Sequence, residues 1–526
     1  MSMVLYPLLN HDDLRRWRAC SRRFWLYRRS EHLVTPNLAG REARAEDRAD
    51  VSAEAAVVYG PGVDAALRAS YPLADIIPPP TTQAEWTRAL RQTLHCLDGD
   101  RVAPEGWAIL GACLTSEDRA QARIDVLTCG ERGLRLFKLR YATVGDESDV
   151  DTAAFWTDVA ARCGLRVQSV GLLLVDTDFI YPGHGCYAGL FREVDLAPVL
   201  GSRPVAAWLD AMRSCDRGPQ PPATPGTHCT QNGGCEFTQQ CAACTVSAAE
   251  TAPDPLAKLE IVGHDLATEL RAAGHADLHS VALRTLDNTR HRRAVRAIQQ
   301  GVPVLEPEVA ALIQALPYPR HSLRFDTIGF AVPLWAGTRP YQVLPFQWTC
   351  DVLQADGHCA QHGFLADAQG GDPRRAFALS LLQVLDSRGA VLAYNAGFER
   401  NRIRDLARLF DDLAPALEAV LERLVDLFQI ARGHYYHPVM AGSWSFKSIS
   451  RAVAPDVTLV LDESLAPSPQ AAFAHSLQRG LDAQTRQQLR AALQTHGQRQ
   501  TEVLRRMAAL FEAAADGQAP DHRDPH

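Results

Sequence analysis

Four of the thirteen cysteines fall in one segment, GTHCTQNGGCEFTQQCAAC, where Cys229, Cys235 and Cys241 are spaced C-x5-C-x5-C and Cys244 follows three residues later. Thiolates are soft ligands, suited to zinc or to the iron of an iron–sulfur cluster. Four of them complete either a structural zinc site or a 4Fe-4S cluster. The segment can supply all four by itself, with Cys244 as the fourth. The other candidate for the fourth ligand is Cys20, far upstream in RRWRACSRRFWLYRR. If Cys20 serves, the chain must fold so that its start meets residue 241. A Pro- and Gly-rich stretch, DRGPQPPATPGTH at 216–228, leads into the cluster as a loop. Other cysteines, such as Cys113, Cys163 and Cys350, read as small core residues.

An odd number of cysteines spread over 526 residues does not fit a disulfide-stapled secreted scaffold, so the expected compartment is the reducing cytoplasm. With 46% hydrophobic residues, the chain can build large cores and is not a disordered protein. No apolar run approaches the roughly 18 residues of a membrane span. Met1 to Leu9 is apolar but lacks a basic lead and runs into His11-Asp12-Asp13, so it reads as part of a domain and not as a signal peptide. The net charge of −7 excludes coating of nucleic acid through bulk charge. Any such contact needs a local patch. Arg15 to Arg29 and Arg290 to Arg296 are candidates, each equally readable as a solvated helix face.

Apolar patterning divides the chain into residues 1–248, a mostly helical connector at 249–319, a second large block at 320–515 and a polar tail at 516–526. In the first block, Leu14 to Tyr27 has helical spacing. QARIDVLTCGERGLRLFKLR predicts two short strands around a Cys129-Gly130 turn, residues 151–163 a helix, and QSVGLLLVDTDFI at 168–180 a buried strand. The order strand, strand, helix, strand is that of an α/β fold. The connector contains LATELRAAGHADLHSVALRTL, in helix–Gly–helix rhythm. In the second block, SLRFDTIGFAVPLW and PYQVLPFQWTCDVL predict paired strands. A helix at 374–386, a strand from Ala390 to Tyr394, helices over 399–430 and a long helix at 482–514 follow.

LNHDDLRRWRACSRRFWLYRR resembles the opening of RecB-like iron–sulfur nucleases, including CRISPR-associated adaptation nucleases. The resemblance implies a restriction-endonuclease, PD-(D/E)XK core whose cluster joins one early cysteine to three late ones. Cys20, Cys229, Cys235 and Cys241 would then hold a 4Fe-4S cluster, with Cys244 spare; a local zinc knuckle is the alternative. Such relatives carry an Asp on one strand and Glu-x-Lys on the next. Asp125 in ARIDVL matches the Asp, but Lys138 stands at the Glu position and Arg140 at the Lys position, and Trp156 replaces a Gln on the following helix. A divalent ion about 4 Å from one added positive charge is repelled by roughly 8 kcal/mol at an effective dielectric of about 20. Asp125 is therefore a remnant, expected to pair with Lys138 or Arg140. Asp146, Glu147 and Asp149 are the nearby carboxylates that could restore a site.

SLRFDTIGFAVPLW, VLAYNAGFERNRI, LVDLFQIAR and GSWSFKSIS resemble a bacterial family of unknown function that fuses such a RecB-like nuclease to a DnaQ-like exonuclease of RNase H-like fold. Its relatives use four carboxylates to hold two metals. Aligned on its Thr327, this chain has Arg324 where the leading Asp stands and Asp326 where the Glu stands. Glu399 is retained in YNAGFE. Gln500, in HGQRQT, replaces the last Asp. Asp426 matches a supporting position. Asn395 and Lys447, with Arg324, lie on motifs that face nucleic acid in relatives.

The resemblance implies a pseudonuclease that binds single-stranded DNA or RNA, or scaffolds a nucleic-acid-processing or defence complex, with magnesium or manganese not expected. A second reading is an active metal-dependent nuclease with non-standard ligands. A third is a purely protein-binding component, partnered by a nuclease or helicase.

Overall fold

The computed structural model describes residues 8–33, 63–98, 106–201, 203–229, 235–238, 240–241, 263–367, 370–385, 388–462, 465–478 and 480–516. Cys244, residues 249–262 of the connector and residues 517–526 of the tail lie outside them. The architecture is mixed α/β, and the chain divides into two compact units: residues 1–249 with 329–342, and residues 250–328 with 343–526. No helix among the described residues is long and apolar enough to cross a membrane.

The first unit is built on a mixed seven-stranded sheet. Its strands are β1 (Leu9–Asn10), β2 (Asp75–Ile76), β3 (Ile109–Thr115), β4 (Ala120–Gly130), β5 (Gly133–Arg140), β6 (Val167–Val175) and β7 (Phe191–Asp195), in the order β2-β3-β4-β5-β6-β7, with β1 beside β4. The β4–β5 hairpin turns at Glu131-Arg132, because Gly130 and Gly133 face each other as the last pair. The turn therefore lies two residues beyond Cys129-Gly130, and both strands are longer than expected. β6 ends at Val175, before the predicted limit. Its Leu172 and Leu174 enter one core with Phe24, Phe155 and Trp156, while Leu173 enters another with Leu110 and Phe137. Burial on both faces explains its unbroken apolar run.

The predicted helix over Leu14 to Tyr27 is two helices. α1 (His11–Ala19) opens on a capping box between Asn10 and Asp13, and α2 (Ser21–Leu33) begins after a break at Cys20, whose backbone is extended. The same sheet is covered by α3 (Glu147–Arg162) and α4 (Val205–Arg217).

The second unit has a five-stranded sheet in the order β11-β10-β9-β12-β13. It comprises β9 (Arg320–Ile328), β10 (Leu344–Leu353), β11 (Cys359–Leu365), β12 (Ala390–Ala393) and β13 (Leu424–Asp426); β8 (Val304–Leu305) and β14 (Tyr435–Tyr436) pair separately. β9 and β10 pair as expected, and they run antiparallel, with Phe325 opposite Trp348. β11 and β13 were not foreseen: β11 alternates only weakly, and β13 is a three-residue strand between helices. The helix–Gly–helix expectation is corrected. α5 (Gly263–Ala272) stops before Gly274, a left-handed residue, and short 3-10 turns at Leu278–Ser280 and Leu283–Thr285 follow it. α6 (Thr289–Gln300) then completes the connector.

Alternation along β9 and β12 separates two cores. Leu323, Phe325, Val391 and Ala393 pack on one face with α7 (Arg374–Val384) and α8 (Gly397–Leu409). Ala390 and Leu392 pack on the other with α9 (Leu427–His434), α10 (Phe446–Val453) and the long α11 (Ala483–Glu512). Arg324 and Asp326 alternate with Leu323 and Phe325, which turns them toward the α11 face.

Candidate functional site

The α11 face of the second unit holds a cavity of about 790 Å³. Arg324, Asp326, Asn395, His496 and Gln500 all line it. Three local devices bring them together. A register irregularity between Pro345 and Gln347 bends the pairing beside Asp326. Asn395 follows β12 in a left-handed conformation, φ 59°, and donates its backbone N–H to Asp426 Oδ1 at 2.9 Å. Asp426 Oδ1 also accepts the Phe428 N–H at 3.0 Å and so caps α9. Third, α11 approaches the sheet closely at Gly497: a Cβ there would stand 2.2 Å from Thr349 Oγ1 and 2.5 Å from Gln347 Nε2. Gln347 Nε2 in turn donates to the Leu493 carbonyl at 2.8 Å. A side chain at 497 would hold His496 and Gln500 away from β9.

Within the cavity, Arg324 Nη1 donates to the Tyr394 carbonyl at 3.2 Å and stands 3.5 Å from Glu399 Oε1. Glu399 is fully buried behind it, and its other oxygen has no hydrogen-bond partner. Burial lifts the Glu399 carboxyl to about 7, against the pull of Arg324. Burial likewise raises Asp326, with His496 and Arg324 opposing the shift, and lowers His496. Gln500 Nε2 lies 2.9 Å from His496 Nε2. Thr501, the next residue, faces the other way and donates to Asp351 at 2.9 Å. Lys447 is exposed on α10 and is not part of the cavity lining.

Several cavity residues escaped the sequence reading. Arg432, Phe428 and Trp444 line it, and so does Arg290, from one of the two basic runs. His496 sits in the degenerate HGQRQT motif, so the signal for it was present. The other basic run, by contrast, is consumed internally. Arg18 pairs with Asp151 at 3.0 Å, Arg23 with Glu236 at 2.8 Å and Arg28 with Asp216 at 3.5 Å, while Arg16 covers the Tyr27 ring.

In the first unit, Asp125 does not pair with Lys138 or Arg140 as expected. Its Oδ2 accepts the Leu139 backbone N–H at 3.0 Å. Lys138 and Arg140 turn to buried Asp149 instead, at 3.9 Å and 3.2 Å, and Arg140 also reaches Asp146 at 3.0 Å. The reason is α3: its N-terminal capping box between Asp146 and Asp149 delivers those carboxylates over the end of β5. Trp156 fills the core below, with Lys138 Nζ 5.8 Å from its ring centre.

The helix after Cys20 is tied to the loop that precedes the later cysteines. Arg22 Nη1 donates to the Pro221 carbonyl at 2.8 Å and Trp25 Nε1 to the Gly218 carbonyl at 3.0 Å, so α2, just after Cys20, lies along the loop that leads to Cys229. The Cys235 N–H donates to the Cys229 carbonyl at 2.9 Å. Among the described residues, however, no three His, Cys, Asp or Glu side chains form a group that could hold a metal ion.

Residues 321–445 match the model of a domain of unknown function, DUF2779. The match includes Arg324, Asp326 and Glu399 and stops short of α11. No curated protein and no solved structure matches the chain.

Proposed function

We propose that this chain is a catalytically degenerate nuclease, a RecB-like iron–sulfur unit fused to a DnaQ-like unit, which binds nucleic acid without cutting it and serves a nucleic-acid-processing or defence complex. The observation that carries this reading is Arg324, 3.5 Å from Glu399 on the face it shares with Asp326. Two-metal hydrolysis needs a cluster of carboxylates around divalent ions. Here a guanidinium, which stays charged at any physiological pH, is paired with Glu399 and shares the face of Asp326. A magnesium ion about 4 Å from that charge is repelled by roughly 8 kcal/mol at an effective dielectric of about 20. The residues present do not fit a two-metal centre. In the first unit, the two cations at the Glu-x-Lys positions support the same reading.

The cysteines fit a cluster in part. Thiolates are the right donors, and α2 is tied to the loop before Cys229, but the four side chains do not form a preassembled ligand set. A cluster held by Cys20, Cys229, Cys235 and Cys241 would fasten the start of the unit to its end.

The full chain, incubated with labelled single-stranded DNA and RNA in magnesium or manganese, is expected to leave both intact. It is also expected to bind them with an affinity that falls steeply as salt rises. Manganese-dependent exonuclease activity that Glu399→Ala abolishes would overturn the pseudonuclease reading, and absence of binding at low salt would overturn the nucleic-acid reading.

A further inference from the structure

One wall of the cavity is a continuous series of rings with a guanidinium at each end. Arg324 lies 4.7 Å from the Phe446 ring centre, and Phe446 is 5.4 Å from Tyr394. Tyr394 is 5.5 Å from Phe428, over which Arg432 stands at 5.8 Å. Arg290 lines the same space. One turn further along α6, Arg293 donates to the Arg432 carbonyl at 3.1 Å, which sets Arg290 and Arg432 on adjoining helix ends. Neither Arg290 nor Arg432 has a carboxylate partner among the described residues. Two polar atoms are buried in the lining with no hydrogen bond: the donor Arg324 Nε and the acceptor Gln500 Oε1. Asp326 is the one carboxylate in the lining.

This inventory selects a ligand class. An apolar ligand would leave the buried Arg324 Nε and Gln500 Oε1 unpaired, which is costly. A purely acidic ligand would make no use of the rings. A flat heterocycle bearing phosphate uses everything: guanidinium forks match phosphate oxygens, aromatic faces stack bases of any sequence, and an amide oxygen accepts from a sugar hydroxyl or a base amino group. The cavity volume lies within the range of small-molecule sites.

We propose, resting on the nucleic-acid reading above, that this cavity holds a phosphorylated nucleoside without metal, with its phosphate on Arg290 and Arg432 and its base against the Phe428–Phe446 wall. Free nucleotides and phosphorylated strand ends share that chemistry.

The test uses the full chain in EDTA. Thymidine monophosphate, and short oligothymidylates with hydroxyl or phosphate termini, are titrated against wild type, Arg290→Ala and Arg432→Ala. Phosphate is expected to tighten binding by about tenfold or more, and each variant to lose about tenfold while melting as wild type does. Arg290 is only partly buried at the start of α6, so its truncation leaves the fold intact and keeps the test decisive if Arg432→Ala melts early. Competition by thymidine monophosphate as strong as that of the phosphorylated strand would identify a free nucleotide as the ligand; preference for the strand would identify a terminus. If strands bind but phosphate and both arginines make no difference, this site assignment fails and the nucleic-acid reading stands. If no strand or nucleotide binds, both fail.

Discussion

Arg324 shows how much one position can change a site. It keeps the strand alternation that would aim an acid at the cavity, but it aims a permanent cation there instead. Its partner Glu399 has no exposed surface, and burial outweighs the attraction of a guanidinium at 3.5 Å. A carboxyl raised from its ordinary 4.5 to about 7 binds its proton more tightly in the native state than in the unfolded chain. The native state is then favoured by low pH, and this contribution is lost as pH rises from about 4.5 through about 7. Glu399→Gln removes the ionisation. Its stability relative to wild type should rise over that window by about 3 kcal/mol at most, less whatever Arg324 loses with its partner. Urea melts of both proteins at a series of pH values check this; a difference that is flat with pH would mean that Arg324 keeps Glu399 ionised throughout.

At the level of elements, the cavity depends on how close α11 comes to β10. Gly497 is in a helix interior, where glycine costs about 1 kcal/mol relative to alanine on propensity alone. The reason it stands there is the approach: a Cβ would meet Thr349 Oγ1 at 2.2 Å. Gly497→Ala is therefore expected to destabilise the fold by roughly 1–3 kcal/mol despite its better propensity, and Gly497→Val by more. Denaturant titration measures this, and a stabilised Gly497→Ala would show that the helix can shift without cost. The same helix explains why the HGQRQT motif points two ways. His496 and Gln500 are four residues apart and share the cavity face, whereas Thr501 is spent on Asp351 of β10.

For the chain as a whole, the two units carry their charge differently from the average. A chain of net charge −7 places three arginines and one carboxylate, the buried Asp326, around a single cavity. In the first unit, most arginines of α1 and α2 are spent within the unit, and those of α2 tie it to residues 216–236. If the cysteines hold a 4Fe-4S cluster, protein purified without oxygen should be brown. Cys20→Ser should then lose the colour and lower the Tm by roughly 5 °C or more, because metal binding is coupled to folding, whereas Cys113→Ser should keep the colour. A colourless protein with one zinc, indifferent to Cys20→Ser, would replace the cluster with a local knuckle.

The features legible from residue order alone are local and periodic. The two-residue repeat along β9 put Arg324 and Asp326 on one face, the apolar run of β6 required cover on both faces, and the Pro- and Gly-rich stretch at 216–228 marked a loop. These follow from backbone geometry within a few residues. Tertiary structure decided the partners. Lys138 meets Asp149 and not Asp125 because the capped start of α3 arrives over β5. Cys20 divides a continuous helical pattern because its extended backbone turns the chain so that Leu14 of α1 and Phe24 of α2 enter one core. Arg432 and His496 reach the cavity because α9 and α11 close over the same strand ends. Such encounters join residues far apart in the chain, and they depend on packing distances, as at Gly497, that no spacing of residue types encodes.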